Sequence, residues 1–127
     1  MAVSPTSRPV AIVTGASRGL GAVIASVLAG RGFDLVLGAR TEGDLTSMAA
    51  SIAGRHAGVR IFPVPGDIVD PAVRAGYVDA ARDLGGLDLL VNNASILGPM
   101  GPLLDFDVPT FGRMMPVNVG APLVLIQ

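Results

Sequence analysis

The chain has 127 residues and contains no cysteine, no tryptophan, one tyrosine and one histidine. Without cysteine there is no disulfide framework and no thiolate metal site. A single histidine argues against a zinc site as well. Lysine is absent too: all nine basic residues are arginine, at positions 8, 18, 31, 40, 55, 60, 74, 82 and 113. Charge is scarce, at 15% of residues with a net of −1. That leaves no electrostatic footprint for nucleic acid or for an anionic membrane. Long apolar runs are missing. Leu89–Leu104 is uncharged but broken by Asn, Gly and Pro, and Met114–Gln127 is too short, since a spanning helix needs about 20 apolar residues. Residues 1–9 are polar and broken by proline, with no signal core. These absences predict a cytoplasmic chain with no nucleic-acid or membrane partner. They also predict a flexible tail over residues 1–9 and one domain over residues 10–127.

What is present is 50% hydrophobic, with 17 Gly and 10 Pro, the composition of a buried α/β protein. Strand and helix signals alternate. Val10–Val13 reads as strand one. Leu20, Val23, Ile24, Val27 and Leu28 then fall at helical spacing, predicting a stripe packed on a sheet. Leu35–Leu37 is strand two. Leu45, Met48, Ala49, Ile52 and Ala53 form the next stripe. Val59–Val64 is strand three, stopped by Pro65-Gly66. Asp70 caps a helix opened by Pro71 and carried by Val73, Tyr77, Ala81 and Leu84. Leu87–Val91 is strand four, and a last helical segment begins near Pro109. Such alternation predicts a Rossmann-like, doubly wound parallel sheet in the order 3-2-1-4. A ligand then sits at the carboxyl ends of strands one and four, where the order reverses.

The chemistry-bearing motif follows strand one: Thr14-Gly15-Ala16-Ser17-Arg18-Gly19-Leu20-Gly21. A buried strand runs into a glycine-rich turn, and the turn opens a helix. Gly15 can take a positive-φ turn. Gly19 and Gly21 let backbone N–H groups and the helix N-terminus approach a nucleotide diphosphate. The spacing G-x-x-x-G-x-G differs from the dinucleotide fingerprint G-x-G-x-x-G.

This octapeptide resembles the Thr-Gly-x-x-x-Gly-x-Gly signature of the short-chain dehydrogenase/reductase family. The resemblance runs from about Val10 to Gln127 and covers the N-terminal half of the family fold, so the domain is expected to be a truncated one. It implies an oxidoreductase that moves hydride between a nicotinamide cofactor and a small carbonyl or alcohol substrate. It also implies a homo-oligomer for the full-length form, and it carries Leu20 with the loop as a cofactor-binding residue. After strand two stands Gly38-Ala39-Arg40. An acid there would accept from the adenosine ribose of NAD. Ala39 cannot, whereas Arg40 can bind a 2′-phosphate. In the family Arg18 points to the same region, and Ser17 offers a hydroxyl. The expectation is therefore NADP(H) over NAD(H). By resemblance, Asp67 bonds the adenine amino group and Ile68 packs on the ring; Asp70 is free to cap the helix. Asn92-Asn93-Ala94 matches the family's Asn-Asn-Ala-Gly, with Ser95 in place of the glycine. Asn92 is expected to brace the sheet, Asn93 to meet the cofactor, and Ala94 to admit the ribose.

Pro116-Val117-Asn118-Val119-Gly120 resembles the family's Val-Asn-x-x-Gly, in which the Asn sits at a helix kink and anchors a water of the proton relay. Pro116 itself promotes a kink. The family's remaining catalytic groups, a Ser and then Tyr-x-x-x-Lys, are not among these residues. Tyr77 is followed by Val78-Asp79-Ala80-Ala81 and reads as packing. His56 reads as a residue at a helix C-terminus, far from the strand ends. The 127 residues alone are thus expected not to catalyse hydride transfer. Alternatives are a non-catalytic NADP(H)-binding module and a gene remnant.

Overall fold

Val10–Val13 (β1) is buried at all four positions and forms the centre of a parallel sheet. In this computed structural model, which describes residues 7–127, β1 is flanked by Asp34–Ala39 (β2) and Leu89–Val91 (β4), with Ile61–Pro65 (β3) beyond β2. The order is 3-2-1-4, as predicted. The helices are Gly19–Gly30 (α1), Glu42–Arg55 (α2), Pro71–Asp83 (α3), Val108–Met115 (α4) and Ala121–Ile126 (α5). No helix among the described residues is long and apolar enough to cross a membrane. Of the tail expected over residues 1–9, residues 1–6 lie outside the described ones. The Pro9 carbonyl accepts from the Asp34 N–H at 2.8 Å.

Successive residues of a strand face opposite sides of the sheet, and this sorts the core into two. Ala11, Val13, Leu35 and Leu37 meet Ala25 and Ala29 of α1 and Leu45, Ala49 and Ile52 of α2. Val10, Ile12 and Val36 meet Tyr77, Ala80, Ala81 and Leu84 on the other face, together with Ile68 and Ala121. A central strand buried on both sides needs apolar residues throughout, which is why it was readable as a continuous run.

The structure corrects the faces of two helices and several boundaries, β2 among them, which runs over Asp34–Ala39 and not only Leu35–Leu37. The face of α1 toward the sheet is Gly21, Ala22, Ala25 and Ala29, with Ile24 and Leu28 half-buried. Leu20, Val23 and Val27 of the expected stripe are exposed, at 67%, 59% and 51%. This helix is apolar nearly all round, so periodicity could not fix its rotation; close approach selects the small residues. Ala53 likewise lies outside the buried stripe of α2, which is Leu45, Ala49 and Ile52. β3 starts at Ile61 rather than Val59, because the Arg60 N–H is taken by the Asp34 carboxylate at 2.8 Å. β4 starts at Leu89 rather than Leu87: Asp88 pairs with Val10 partly through its side chain, whose Oδ2 accepts the Val10 N–H at 2.8 Å. Pro63 and Pro65 are tolerated in β3 because it is an edge strand.

The last segment opens one residue before Pro109. Asp107 caps α4 by accepting the Thr110 N–H at 2.8 Å. Its carboxyl is held below the usual range by the hydrogen bonds from Thr110 and by the Arg113 guanidinium. At Pro116 the helix widens into a π-helical turn over Pro116–Gly120 before α5 resumes. The distortion expected at that proline is therefore a bulge in an otherwise continuous rod, a form that recurs at functional sites.

Candidate functional site

A cleft of about 680 Å³ opens at the carboxyl ends of the strands, within the size range of small-molecule sites. Its centre is the loop after β1. Thr14, buried at the strand end, bonds Val91 through its N–H at 3.1 Å. Its hydroxyl accepts the N–H groups of Asn93 at 3.0 Å and Ala94 at 2.9 Å. One side chain thus locks the end of β1 to the end of β4. Gly15 follows with φ +65°, the conformation that a side chain resists.

Asn93 completes the lock. Its Nδ2 donates to the carbonyls of Thr14 at 3.2 Å and Gly15 at 3.1 Å. Bracing was expected of Asn92, but Asn92 is exposed and makes no side-chain hydrogen bond to a described residue. The brace is Asn93, because the side chains alternate along the chain and only Asn93 faces the loop. Asn93 and Ala94 also line the cleft.

The glycines of the loop divide the work. Gly19 has φ +59° and nothing within 4 Å of where a β-carbon would stand, so its backbone faces open cleft. Gly21 is buried beneath the loop, and a β-carbon there would collide with the Gly15 carbonyl oxygen. Its role in this structure is the close seating of α1 on the loop, and it does not line the cleft. Leu20 does not line it either and projects away, 67% exposed.

Ser17, Arg18 and Arg40 lie along the cleft. Arg18 stands at the N-cap position of α1 without a side-chain capping bond. Arg40 follows the end of β2. Neither is ion-paired with a described residue; the ion pairs there are Arg60–Asp34 and Arg82–Asp79. No acid stands at Ala39. The cleft therefore presents two uncompensated guanidiniums beside a helix N-terminus, a combination suited to phosphate.

Asp67 and Ile68 form the next wall. Asp67 accepts the Val69 N–H at 3.1 Å in a tight local turn, while Asp70 caps α3 by accepting the Ala72 N–H at 2.9 Å. The capping role thus belongs to Asp70, as expected. Ile68 is buried between the cleft and the core, and its carbonyl accepts from Arg74 Nη1 at 2.9 Å. Tyr77, read from sequence as packing, is 1% exposed and also borders the cleft. Burial and the Asp67 carboxylate push its hydroxyl up to about 12.

The far wall comes from the loop after β4 (Ser95, Ile96), from α4 (Gly112, Arg113) and from the π-helical turn (Pro116, Val117). Asn118 sits one residue beyond it. Its Oδ1 accepts the Ile96 N–H at 2.8 Å and its Nδ2 donates to the Ile96 carbonyl at 2.9 Å. Both ends of the amide are committed to one backbone residue, so Asn118 staples the π-helical turn to the loop that walls the cleft. His56 is the C-cap of α2 and rests near Gly30, away from the cleft. Sequence reasoning missed Thr14 as the lock, Tyr77 as a cleft residue and Arg113. Only Thr14 had a usable signal, as the polar step between a buried strand and the glycine turn.

The sequence profile described as short chain dehydrogenase matches residues 9–127. Cis-4-hydroxycyclohexanecarboxylate dehydrogenase of Sinomonas cyclohexanicum is 40% identical over 111 residues, which cover 87% of this chain and 43% of that protein. The crystal structure of L-sorbose reductase from Gluconobacter frateurii, complexed with NADPH and L-sorbose, superposes with a TM-score of 0.84 at 32% identity. It covers 94% of this chain and 45% of its own. A blue fluorescent protein from a metagenomic library, in complex with NADPH, gives 0.83 at 35% identity, covering 98% of this chain and 51% of its own. The chain spans about half the length of these relatives.

Proposed function

The chain belongs to the short-chain dehydrogenase family, and from that premise we propose that its residues form the NADP(H)-holding part of an oxidoreductase acting on a small carbonyl or alcohol. The observation that carries this reading is the end of β2. Ala39 offers no carboxylate to a ribose hydroxyl, and Arg40 and Arg18 stand unpaired along the cleft. Two free guanidiniums without an acid favour a ribose that bears a 2′-phosphate. NADPH in the sorbose reductase and in the blue fluorescent protein supports the same reading.

The residues present fit the dinucleotide by the character of the cradle. Gly15 and Gly19, with the N-terminus of α1, hold the diphosphate on backbone N–H groups. Ser17, Arg18 and Arg40 hold the 2′-phosphate. Asp67 and Ile68 receive the adenine, and Asn93 and Ala94 admit the ribose next to the diphosphate. Leu20 and Gly21 act by shaping the loop. When bound, the cofactor supplies or accepts the hydride. Asn118 is a positioning residue here: it fixes the wall at Ile96 and Val117 against which substrate is held. The proton donor for the carbonyl oxygen is not among these 127 residues, whose single tyrosine is Tyr77 and which hold no lysine. A homo-oligomer is proposed for the full-length form on the family membership.

The test is a titration of the full-length protein with NADPH and NADH. NADPH is expected to bind at least about tenfold tighter, the size of one charge-assisted contact of about 1.5 kcal/mol. Arg40→Asp is expected to reverse the order by weakening NADPH and sparing NADH. Equal affinity for the two in the unaltered protein would overturn the reading.

A further inference from the structure

Tyr77 is the largest fully buried side chain among the described residues, and it is in an unusual position for a core residue. Its ring belongs to the cluster beneath the sheet with Ile12, Val36 and Ile68, yet it borders the cleft together with Gly38, Ala39, Gly66 and Asp67. The hydroxyl lies so close under Gly38 that a β-carbon on that glycine would collide with it. Gly38 therefore has no side chain because the phenol occupies the space. The hydroxyl makes no hydrogen bond to any described residue, and it is not among the buried polar atoms left without a partner, so its oxygen opens to the cleft. A phenol whose ring is fixed in the core and whose unpaired hydroxyl opens to a cleft presents that hydroxyl to whatever occupies the cleft.

Which part of a ligand it meets follows from the sheet order. The glycine loop after β1 lies between β2 and β4. A dinucleotide centred there extends one nucleoside toward β2 and β3 and the other toward β4. Tyr77 lies on the β2–β3 side, beside Asp67 and below the strand end that carries Arg40. We infer that the Tyr77 hydroxyl is a fixed hydrogen-bond donor to the adenosine portion of the bound nucleotide, with Gly38 kept bare to let the phenol reach the floor of that subsite. The inference rests on the NADP(H) reading given above. Burial and the neighbouring Asp67 carboxylate keep the hydroxyl protonated at neutral pH, so it can donate there. A phenol fixed by its packing also loses little freedom when the bond forms.

The experiment uses full-length protein with Tyr77→Phe, which keeps the ring and removes the donor. NADPH, adenosine 2′,5′-bisphosphate and reduced nicotinamide mononucleotide are titrated, with thermal unfolding recorded in parallel. The expected result is a five- to tenfold weaker affinity, roughly one neutral hydrogen bond, for both NADPH and the bisphosphate. The mononucleotide and the melting temperature stay unchanged. Unaltered affinity of Tyr77→Phe for the bisphosphate would overturn the inference while leaving the NADP(H) reading intact. A loss shared by the mononucleotide, or accompanied by a lowered melting temperature, would assign the residue to packing and overturn it too. Failure of the unaltered protein to bind NADPH would remove the reading itself.

Discussion

The two ends of the sheet are built on opposite rules. At the amino ends of the strands, polar groups are used up internally. Asp34, fully buried, accepts the Arg60 N–H at 2.8 Å and pairs with its guanidinium at 2.7 Å; the same guanidinium reaches the Leu84 carbonyl at 3.1 Å. Asp88 closes the Val10 N–H at 2.8 Å. At the carboxyl ends, Arg18 and Arg40 are unpaired, Gly19 faces open space and the Tyr77 hydroxyl has no partner among the described residues. The same chain satisfies its polar groups at one end and, beside the bonded Thr14 and Asn93, leaves several without partners at the other. The unsatisfied end is the one that all-parallel sheets use for ligands, so the asymmetry separates the parts that hold the fold from the parts that hold a cofactor.

Three substitutions, in falling order of expected effect, break or sharpen that contrast. Gly21→Val strikes both functions at once, because the new β-carbon meets the Gly15 backbone and the Asn93 amide. It is expected to destabilise by about 3 kcal/mol or more and to abolish measurable NADPH binding. Denaturant unfolding and fluorescence titration of full-length protein check both, and a variant with unchanged stability would refute the close seating of α1. Asp34→Ala touches only the closed end. Removing one member of a fully buried pair can cost 3–5 kcal/mol, but Arg60 keeps 56% of its side chain in solvent. The expected loss is therefore about 2 kcal/mol, with NADPH affinity retained wherever the protein is folded. A selective loss of affinity would show that the two ends are not separable. Arg18→Ala touches only the open end and should leave the melting temperature within a degree or two, as surface changes do. NADPH affinity should fall several-fold, and less so at high salt, where screening has already weakened the contact. A fall of the same size for NADH would place Arg18 on the shared diphosphate and not on the 2′-phosphate.

Much of this could be read before any coordinates. β1 and β2 stand out as continuous apolar runs because both of their faces are covered. Asp70 and Pro71 announce the start of α3 because capping is local chemistry. The octapeptide from Thr14 to Gly21 is readable because a tight turn and a close backbone approach leave few residue types to choose from. Other features were hidden for equally physical reasons. The rotation of α1 was not readable, since alanine and valine alternate around a helix that is apolar on every side. The starts of β3 and β4 were displaced because Asp34 and Asp88 accept main-chain N–H groups with their side chains. That the brace is Asn93 and not Asn92 depended on which of two adjacent amides faces the loop.

The amino-acid sequence by itself determined the order of elements, the parallel topology and the phosphate-binding loop. These rest on local rules: hydrophobic period, turn chemistry and caps. The tertiary structure alone decided which polar groups are left without partners. That Thr14 locks two strands, that Asn118 is committed to Ile96 and that the Tyr77 hydroxyl opens under Gly38 are relations between residues 22 to 80 positions apart or on different elements. Packing brings such groups together, and no local rule encodes their meeting.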